Sequence, residues 1–432
     1  MKRLLTALLS TSMLCIPGLS RAQQYEIIPQ FADRYIVAAS QDGNRLILGQ
    51  QQAIADGWYS DKMSLYDGKQ EIALTLSGSG TTKGWAQKVL AINNKGQFLS
   101  EMTNWDAKDV HFRLGDATGA STTILDHEFR SLWSTQGMSF DLNDAGQALI
   151  ELSEESNTLK DDSITRVLYF YNGVGVEKIV QEGPSPLMST EGLQSFALSE
   201  DGRIAYTSQA KGKKTFQHYI REIDGSVRLL NLPSLAEFGF VHSFTKNRLL
   251  FGGKSAEIVY DLVTGEITPL YPNSDSLMSW ALTSEPFNGE QVTFNALRKS
   301  GDTFRVYIGT ASLSQGISYM DCPLPFDKSY PLYIAALADG KSFLVSLYGT
   351  NNPKGVAAPG TYLLRPSTGA AGAQSCTVYT SPDQLTSGKA GATQVANVSN
   401  GKAKAKAAKH KSKKARAKAR KDKKAGRKAL KA

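Results

Sequence analysis

Three stretches of this chain say nearly the same thing: AINNKGQFLSEM at 91–102, DLNDAGQALIEL at 141–152 and ALSEDGRIAYTS at 197–208. In each, an apolar run meets a turn built around Asn/Asp-x-Gly, and an alternating run follows. Glycine takes the φ > 0 position of such a turn cheaply and the flanks alternate with period two, so each stretch reads as a β-hairpin. The turn recurs at Gly43, Gly96, Gly146, Gly202, Gly289 and Gly340, with a degenerate copy at Lys246-Asn247; successive intervals are 53, 50, 56, 45, 42 and 51 residues.

A second hairpin follows each of these, clearest in KMSLYDGKQEIALTL from Lys62, VLYFYNGVGVEKIV from Val167, HYIREIDGSVRLLNL from His218 and EIVYDLVTGEITPLY from Glu257. Each unit therefore holds four strands, A to D, and seven units fit between about residues 33 and 381. Four short antiparallel strands in a ~40–50-residue repeat predict a blade that cannot bury its faces alone and does so against its neighbours in a ring. The expected fold is all-β: a seven-bladed β-propeller of four-stranded blades. Tandem β-sandwiches would repeat every ~100 residues, and nothing here repeats at that period. All four strands of each blade are expected from one unit, with no strand exchanged to close the ring.

The hairpins LAINNKGQFLSEM and DLNDAGQALIEL resemble one half of the bacterial extracellular HAF repeat, and QHYIREIDGSVRLLNL, with His218, Tyr219 and Asp224-Gly225, resembles its other half. The resemblance covers about residues 35–381, although the literal His-Ala-Phe is absent. It implies a secreted or surface propeller and carries no chemistry. Trp105-Asp106 is a lone WD dipeptide, out of place for a WD repeat.

The two ends differ from the body. Lys2 and Arg3, the apolar run 4–16 and the small-x-small site Ser20-Arg21-Ala22 predict a secretory signal peptide over 1–22. The run is shorter than the ~20 residues of a membrane span, and Leu14 before Cys15 is too large for a lipidation site. Residues 382–401, rich in Ser, Gly, Ala and Thr, read as a flexible linker. The last segment, 402–432, is expected to be a disordered polycation. Its cations are Lys402, Lys404, Lys406, Lys409, Lys411, Lys413, Lys414, Arg416, Lys418, Arg420, Lys421, Lys423, Lys424, Arg427, Lys428 and Lys431, against one Asp422. Removing that +15 and the +3 of Lys2, Arg3 and Arg21 from the net +9 leaves −9 on residues 23–400. The folded body is thus mildly acidic, which argues against its being a nucleic-acid binder. The tail resembles the Lys/Ala tails of linker histones and heparin-binding adhesins. It is suited to polyanions through counterion release: lipopolysaccharide, acidic polysaccharide, anionic lipid or extracellular DNA.

In a propeller the A–B and C–D turns share one face, and the B–C and D–A connections share the other. Trp58 and Trp105 fall in B–C connections; Trp85, Trp133 and Trp280 fall in D–A connections or at the start of strand A. All five are assigned to this crossover face, where flat rings suit sugars, peptides or aromatic ligands; the alternative is that they plug gaps between blades. The connections at 348–361 and 153–163 fall there too. Asp126-His127-Glu128 reads as a polar cluster in a solvated loop, and Glu154, Glu155, Asp161 and Asp162 as a solvated acidic loop. No histidine sits in a metal-ligand spacing or beside a nucleophile motif, so no catalytic residue, metal or cofactor is assigned. "GGKS" at 252–255 lacks the first glycine of a phosphate loop. Cys322 and Cys376 are permitted a disulfide by export, but Cys322 ends a D strand while Cys376 starts one, so the pairing is left open. The expected function is a secreted or periplasmic binding scaffold with a tail that docks to anionic surfaces. The alternative is a carbohydrate-active enzyme, a lyase or hydrolase, using the tryptophan face.

Overall fold

The computed structural model describes residues 21–53, 59–74, 85–104, 106–128, 139–155, 163–186, 192–210, 213, 215–232, 238–253, 256–272, 278–280, 287–300, 303–322, 331–337, 339, 341–347, 360–367 and 374–380. The chain divides into two units, Met1–Ala390 and Gly391–Ala432; the second, with most of the expected linker and all of the basic tail, lies outside the described residues. The described residues form twenty-nine strands and no helix.

After β1 (Arg21–Ala32), blade 1 contains β2 (Tyr35–Ala39), β3 (Leu46–Ala53), β4 (Tyr59–Tyr66) and β5 (Glu71–Ala73). Blade 2 contains β6 (Trp85–Ile92), β7 (Phe98–Asn104), β8 (Asp109–Gly115) and β9 (Ser121–Glu128). Blade 3 contains β10 (Phe140–Leu142), β11 (Ala148–Glu155), β12 (Ser163–Tyr171) and β13 (Val176–Pro186). Blade 4 contains β14 (Gly192–Leu198), β15 (Ile204–Gln209), β16 (Phe216–Arg221) and β17 (Val227–Leu229). Blade 5 contains β18 (Phe238–Thr245), β19 (Arg248–Gly253), β20 (Ala256–Asp261) and β21 (Ile267–Pro272). Blade 6 contains β22 (Met278–Trp280), β23 (Gln291–Ser300), β24 (Thr303–Ser312) and β25 (Gly316–Asp321). The seventh unit supplies β26 (Pro331–Ala336), β27 (Phe343–Leu347), β28 (Gly360–Pro366) and β29 (Gln374–Tyr379). This is the expected seven-bladed propeller, with blades 1 to 6 each an antiparallel A-B-C-D meander.

The core lies between blades. Seven clusters of buried residues fill the seven interfaces. Strand B shows why its sequence is apolar on both faces: Leu249 packs between blades 4 and 5, and its neighbour Leu250 between blades 5 and 6. Consecutive side chains leave a strand on opposite faces, so a strand buried on both sides loses its polar positions. The paired glycines opposite aromatics follow from the same crowding. Gly309 lies opposite Phe294 across β23 and β24, and a Cβ there would stand 2.4 Å from the ring.

Ring closure departs from the expectation that each blade is built from one unit. β1 pairs with β28 through Tyr25↔Pro366, Ile27↔Leu364 and Ala32↔Gly360, so it is the outer strand of blade 7. The seventh unit's own last strand, β29, is displaced one place outward. It pairs with Arg21–Tyr25 of β1 on one side and with β25 of blade 6 on the other. Blades 6 and 7 thereby become one nine-stranded sheet. The composition of β1 explains its place: Tyr25 is buried and Ile27 packs against the blade 6–7 core, while Glu26 pairs with Arg365 at 2.7 Å on the more exposed side. Phe31 meets Tyr66 of blade 1 edge-on at 5.0 Å. A chain starting at Gln23, where cleavage is expected, keeps every residue that pairs with β28.

The displacement also settles the cysteines. Because β29 runs antiparallel beside β25, with Asp321 opposite Thr377, Cys322 falls opposite Cys376, and the two are disulfide-bonded. The strand-end argument against the pair assumed that β29 stayed beside β28.

Candidate functional site

The turn face is built from the A–B hairpins. In blades 2 and 3 the first turn residue, Asn93 or Asn143, closes its own turn. Its Oδ1 accepts the backbone N–H groups two and four residues on, and its Nδ2 donates to the next blade's turn: Asn93 to the Asn143 carbonyl and Asn143 to the Ser199 carbonyl, both at 2.9 Å. The second turn residue reaches backwards. Asn94 Oδ1 accepts the Asp42 N–H at 2.9 Å, Asp144 accepts the Asn94 N–H at 2.7 Å, and Glu200 accepts the Asp144 N–H at 3.0 Å. Arg203 continues the belt to the Lys246 carbonyl at 2.7 Å, and Arg248 continues it to the Gly289 carbonyl at 2.6 Å. One ring of hydrogen bonds thus links blades 1 to 6. Gln97, after Gly96, packs on Gly146, and Gln147, after Gly146, packs on Gly202: at Gly202, with φ +88°, a Cβ would stand 2.8 Å from Gln147 Oε1.

Below the belt, Asp141 of β10 accepts the Leu198 N–H of the next blade at 2.8 Å. Burial pushes its carboxyl up to about 6, with Glu200 adding repulsion. Glu200 is raised by burial as well, with Asp144 and Asp201 adding repulsion.

A second set of polar groups lies inside the interfaces, nearer the crossover face. In blade 3, Glu151 is buried with Arg166 at 3.7 Å, and burial raises its carboxyl to about 7 against the pull of that guanidinium. Arg166 itself donates to the Leu193 carbonyl of blade 4 at 2.9 Å. In blade 4, the Thr207 hydroxyl accepts the Val241 N–H of blade 5 at 3.2 Å and lies 3.0 Å from His218 Nδ1. Burial lowers the His218 imidazole to about 4, which keeps it neutral inside the interface. In blade 7, Ser346 Oγ accepts the Ile36 N–H of blade 1 at 2.8 Å. These groups satisfy inner strands whose ladders are bulged, as at Ile36/Ala38, Leu193/Ser195 and Val241/Ser243. Each bulge leaves backbone groups unpaired in its own blade. In blade 5, His242 lies across Gly252, where a Cβ would be 2.9 Å from its Cε1, and its Nδ1 meets Glu257 at 3.2 Å.

Asp126-His127-Glu128 is strand rather than loop. It ends β9, with Asp126 opposite His111 and His127 opposite Val110. Alternation puts His127 on the other face from its neighbours, so the three do not form one cluster. His111 instead is held between Asp109, at 3.0 Å, and Asp126. Glu154 and Glu155 belong to β11, opposite Thr165 and Ile164; Asp161 and Asp162 lie outside the described residues. Among the described residues no three His, Cys, Asp or Glu side chains gather as metal ligands.

Of the five tryptophans, two have described backbone. Trp85 begins β6, opposite Asn104, and Trp280 ends β22, opposite Asn295; both are on innermost strands. Trp58, Trp105 and Trp133 lie outside the described residues, as does the basic tail. The turn belt was readable in principle. Asn93/Asn143, Asn94/Asp144 and Gln97/Gln147 recur in register, but each residue is also a common turn former and so masks its inter-blade role.

No family model matches the chain, and no curated protein matches it in sequence. Among solved structures, it is similar to the β-propeller domain of the Trilobed protease from Pyrococcus furiosus, described as having an open Velcro topology. The TM-score is 0.50 at 13% identity, covering 78% of this chain and 94% of that one. It is also similar to the acylaminoacyl peptidase of Pyrococcus horikoshii, with TM-score 0.49 and 13% identity over 78% of this chain and 52% of that one. The oligogalacturonate lyase of Vibrio parahaemolyticus gives TM-score 0.40 and 12% identity over 69% and 99%. At these identities the likeness is one of fold: the chain is a β-propeller.

Proposed function

We propose that this protein is an exported, non-enzymatic binding propeller. Its crossover face takes a ligand against Trp58, Trp85, Trp105, Trp133 and Trp280, and its basic tail docks to an anionic polymer or surface. The observation that carries the first half is the backbone position of Trp85 and Trp280 on the inner strands of blades 2 and 6. Innermost strands border the central channel, and broad aromatic residues on such strands suit sugars or peptides with little entropy lost. The tail's +15 on 402–432 supports the second half. The test is intrinsic tryptophan fluorescence during titration with oligosaccharide and peptide panels, together with acrylamide quenching. Binding that shifts emission and is lost in Trp58→Ala/Trp105→Ala supports the face; five tryptophans shielded from acrylamide in the free protein refute it.

A second reading is a carbohydrate-active enzyme, and one observation favours it: Glu151 keeps its proton to about pH 7, as a general acid requires. Its carboxyl, however, is enclosed between blades 3 and 4 beside Arg166, where its evident work is to satisfy the interface.

A further inference from the structure

Every large hydrophobic side chain that is exposed among the described residues belongs to blades 3, 4 and 5: Val174, Ile223, Val227, Leu229, Phe240 and Val263. Three of them occupy the C–D turns of consecutive blades. Val174 is 93% exposed, Ile223 68% and Val263 74%. The corresponding turns of blades 1 and 2 carry Gly68-Lys69 and Ala117-Thr118 instead. Val227 and Leu229 lie beside them on β17, the outer strand of blade 4. The apolar surface is therefore one sector of the turn-face rim; the described C–D turns of blades 1, 2 and 6 carry no exposed large hydrophobic side chain.

From this sector and the tail together we infer that the protein docks on an anionic lipid bilayer, with the C–D turns of blades 3 to 5 dipping into it. The inference rests on the polycation reading of the tail. One observation favours a bilayer over a second copy of the chain: Val174, Ile223 and Val263 stand on three separate turn tips, a convex arrangement that a fluid acyl layer accommodates and a rigid surface does not. Charge complementarity supplies the other half. Shallow apolar insertion holds weakly by itself and becomes stable when joined to a polybasic segment, here +15 with each cation attracted to anionic headgroups.

The test is co-sedimentation with vesicles of phosphatidylcholine alone or with 30% phosphatidylglycerol, at about 50 and 200 mM salt, with heparin binding measured in parallel. The proteins compared are the full chain, the 1–400 truncation and Val174→Glu/Ile223→Glu/Val263→Glu. These three side chains are exposed, so the triple variant should keep its thermal midpoint. Expected are at least tenfold weaker binding of the triple variant to anionic vesicles with heparin binding unchanged, and loss of both in the truncation. An environment-sensitive fluorophore at position 223 should blue-shift on anionic vesicles and not on heparin. A triple variant that binds vesicles as well as the parent, or a fluorophore that does not shift, overturns the rim. A truncation that binds heparin unchanged overturns the polycation reading instead.

Discussion

Reducing the Cys322–Cys376 bond should lower stability by an amount the chain length sets. The bond closes a loop of 54 residues, which contains all of the seventh unit up to β29. On the chain-entropy argument, a loop of that length restricts the unfolded ensemble by about 4 kcal/mol. A propeller of about 350 residues unfolds with an entropy near 0.7 kcal/mol/K, so the melting midpoint should fall by about 5–6 °C. The assay is calorimetry of the protein with and without a phosphine reductant. Titration of two new free thiols confirms complete reduction, since Cys322 and Cys376 are the two cysteines that the bond joins. Reduction in place isolates the cross-link. Cys322→Ala/Cys376→Ala should fall about 1 kcal/mol further, because Cys376 is fully buried and its truncation leaves a void. A shift below about 1 °C on full reduction would refute the reasoning. It would mean that blade 7 remains assembled in the state counted as unfolded, or that the two cysteines are not joined.

Three other outcomes follow from the geometry. Glu151 has a folded-state value near 7, above its ordinary 4.5, so its contribution is present below pH 4.5 and lost as pH rises through 7. Between pH 5 and 8 that loss is at most about 2–3 kcal/mol, and Glu151→Gln should gain on the parent by that much in chemical denaturation across the range; parallel pH profiles would count against it. His218 works in the opposite sense: lowered to about 4, it contributes above pH 6.5 and loses that contribution as pH falls through 4. His218→Phe should therefore flatten the acid limb of the stability profile, and an unchanged acid limb would remove burial as the cause. Gly202→Ala meets both a left-handed φ and Gln147, whereas Gly265→Ala meets a left-handed φ of +72° and open space. Urea midpoints should place the first about 1–2 kcal/mol below the second, and equal costs would mean that the turn belt is loosely packed.

The blades were legible because their signal is local. Gly43, Gly96, Gly146, Gly202 and Gly289 all take positive φ in the A–B turns, and Lys246, the degenerate copy, does so too at φ 55°; Gly340 lies outside the described residues. Closure was not legible. Ile27 finds Leu364 across almost the whole chain, and β1 has no hairpin partner of its own to announce it. The cysteine pairing inherited that gap, since it depends on which strand β29 joins. The inter-blade polar groups were hidden for a different reason. Thr207, Ser346 and Glu151 look like ordinary polar residues in strands, and only the bulges of the neighbouring blade give them partners. His111 escaped notice because its carboxylates come from its own strand and from β9, where the register slips between Phe112 and Arg113.

The central structural claim is that the first strand of the chain closes the ring at blade 7. Hydrogen exchange of the peptide spanning residues 23–34, read by mass spectrometry against the peptide containing β27, tests it most directly. If β1 pairs with β28, those of its amides that bond to β28 exchange as slowly as the bonded amides of Phe343–Leu347, because both require opening of the same sheet. If they exchange within seconds while β27 stays protected, the terminus is free, and the ring closes without it.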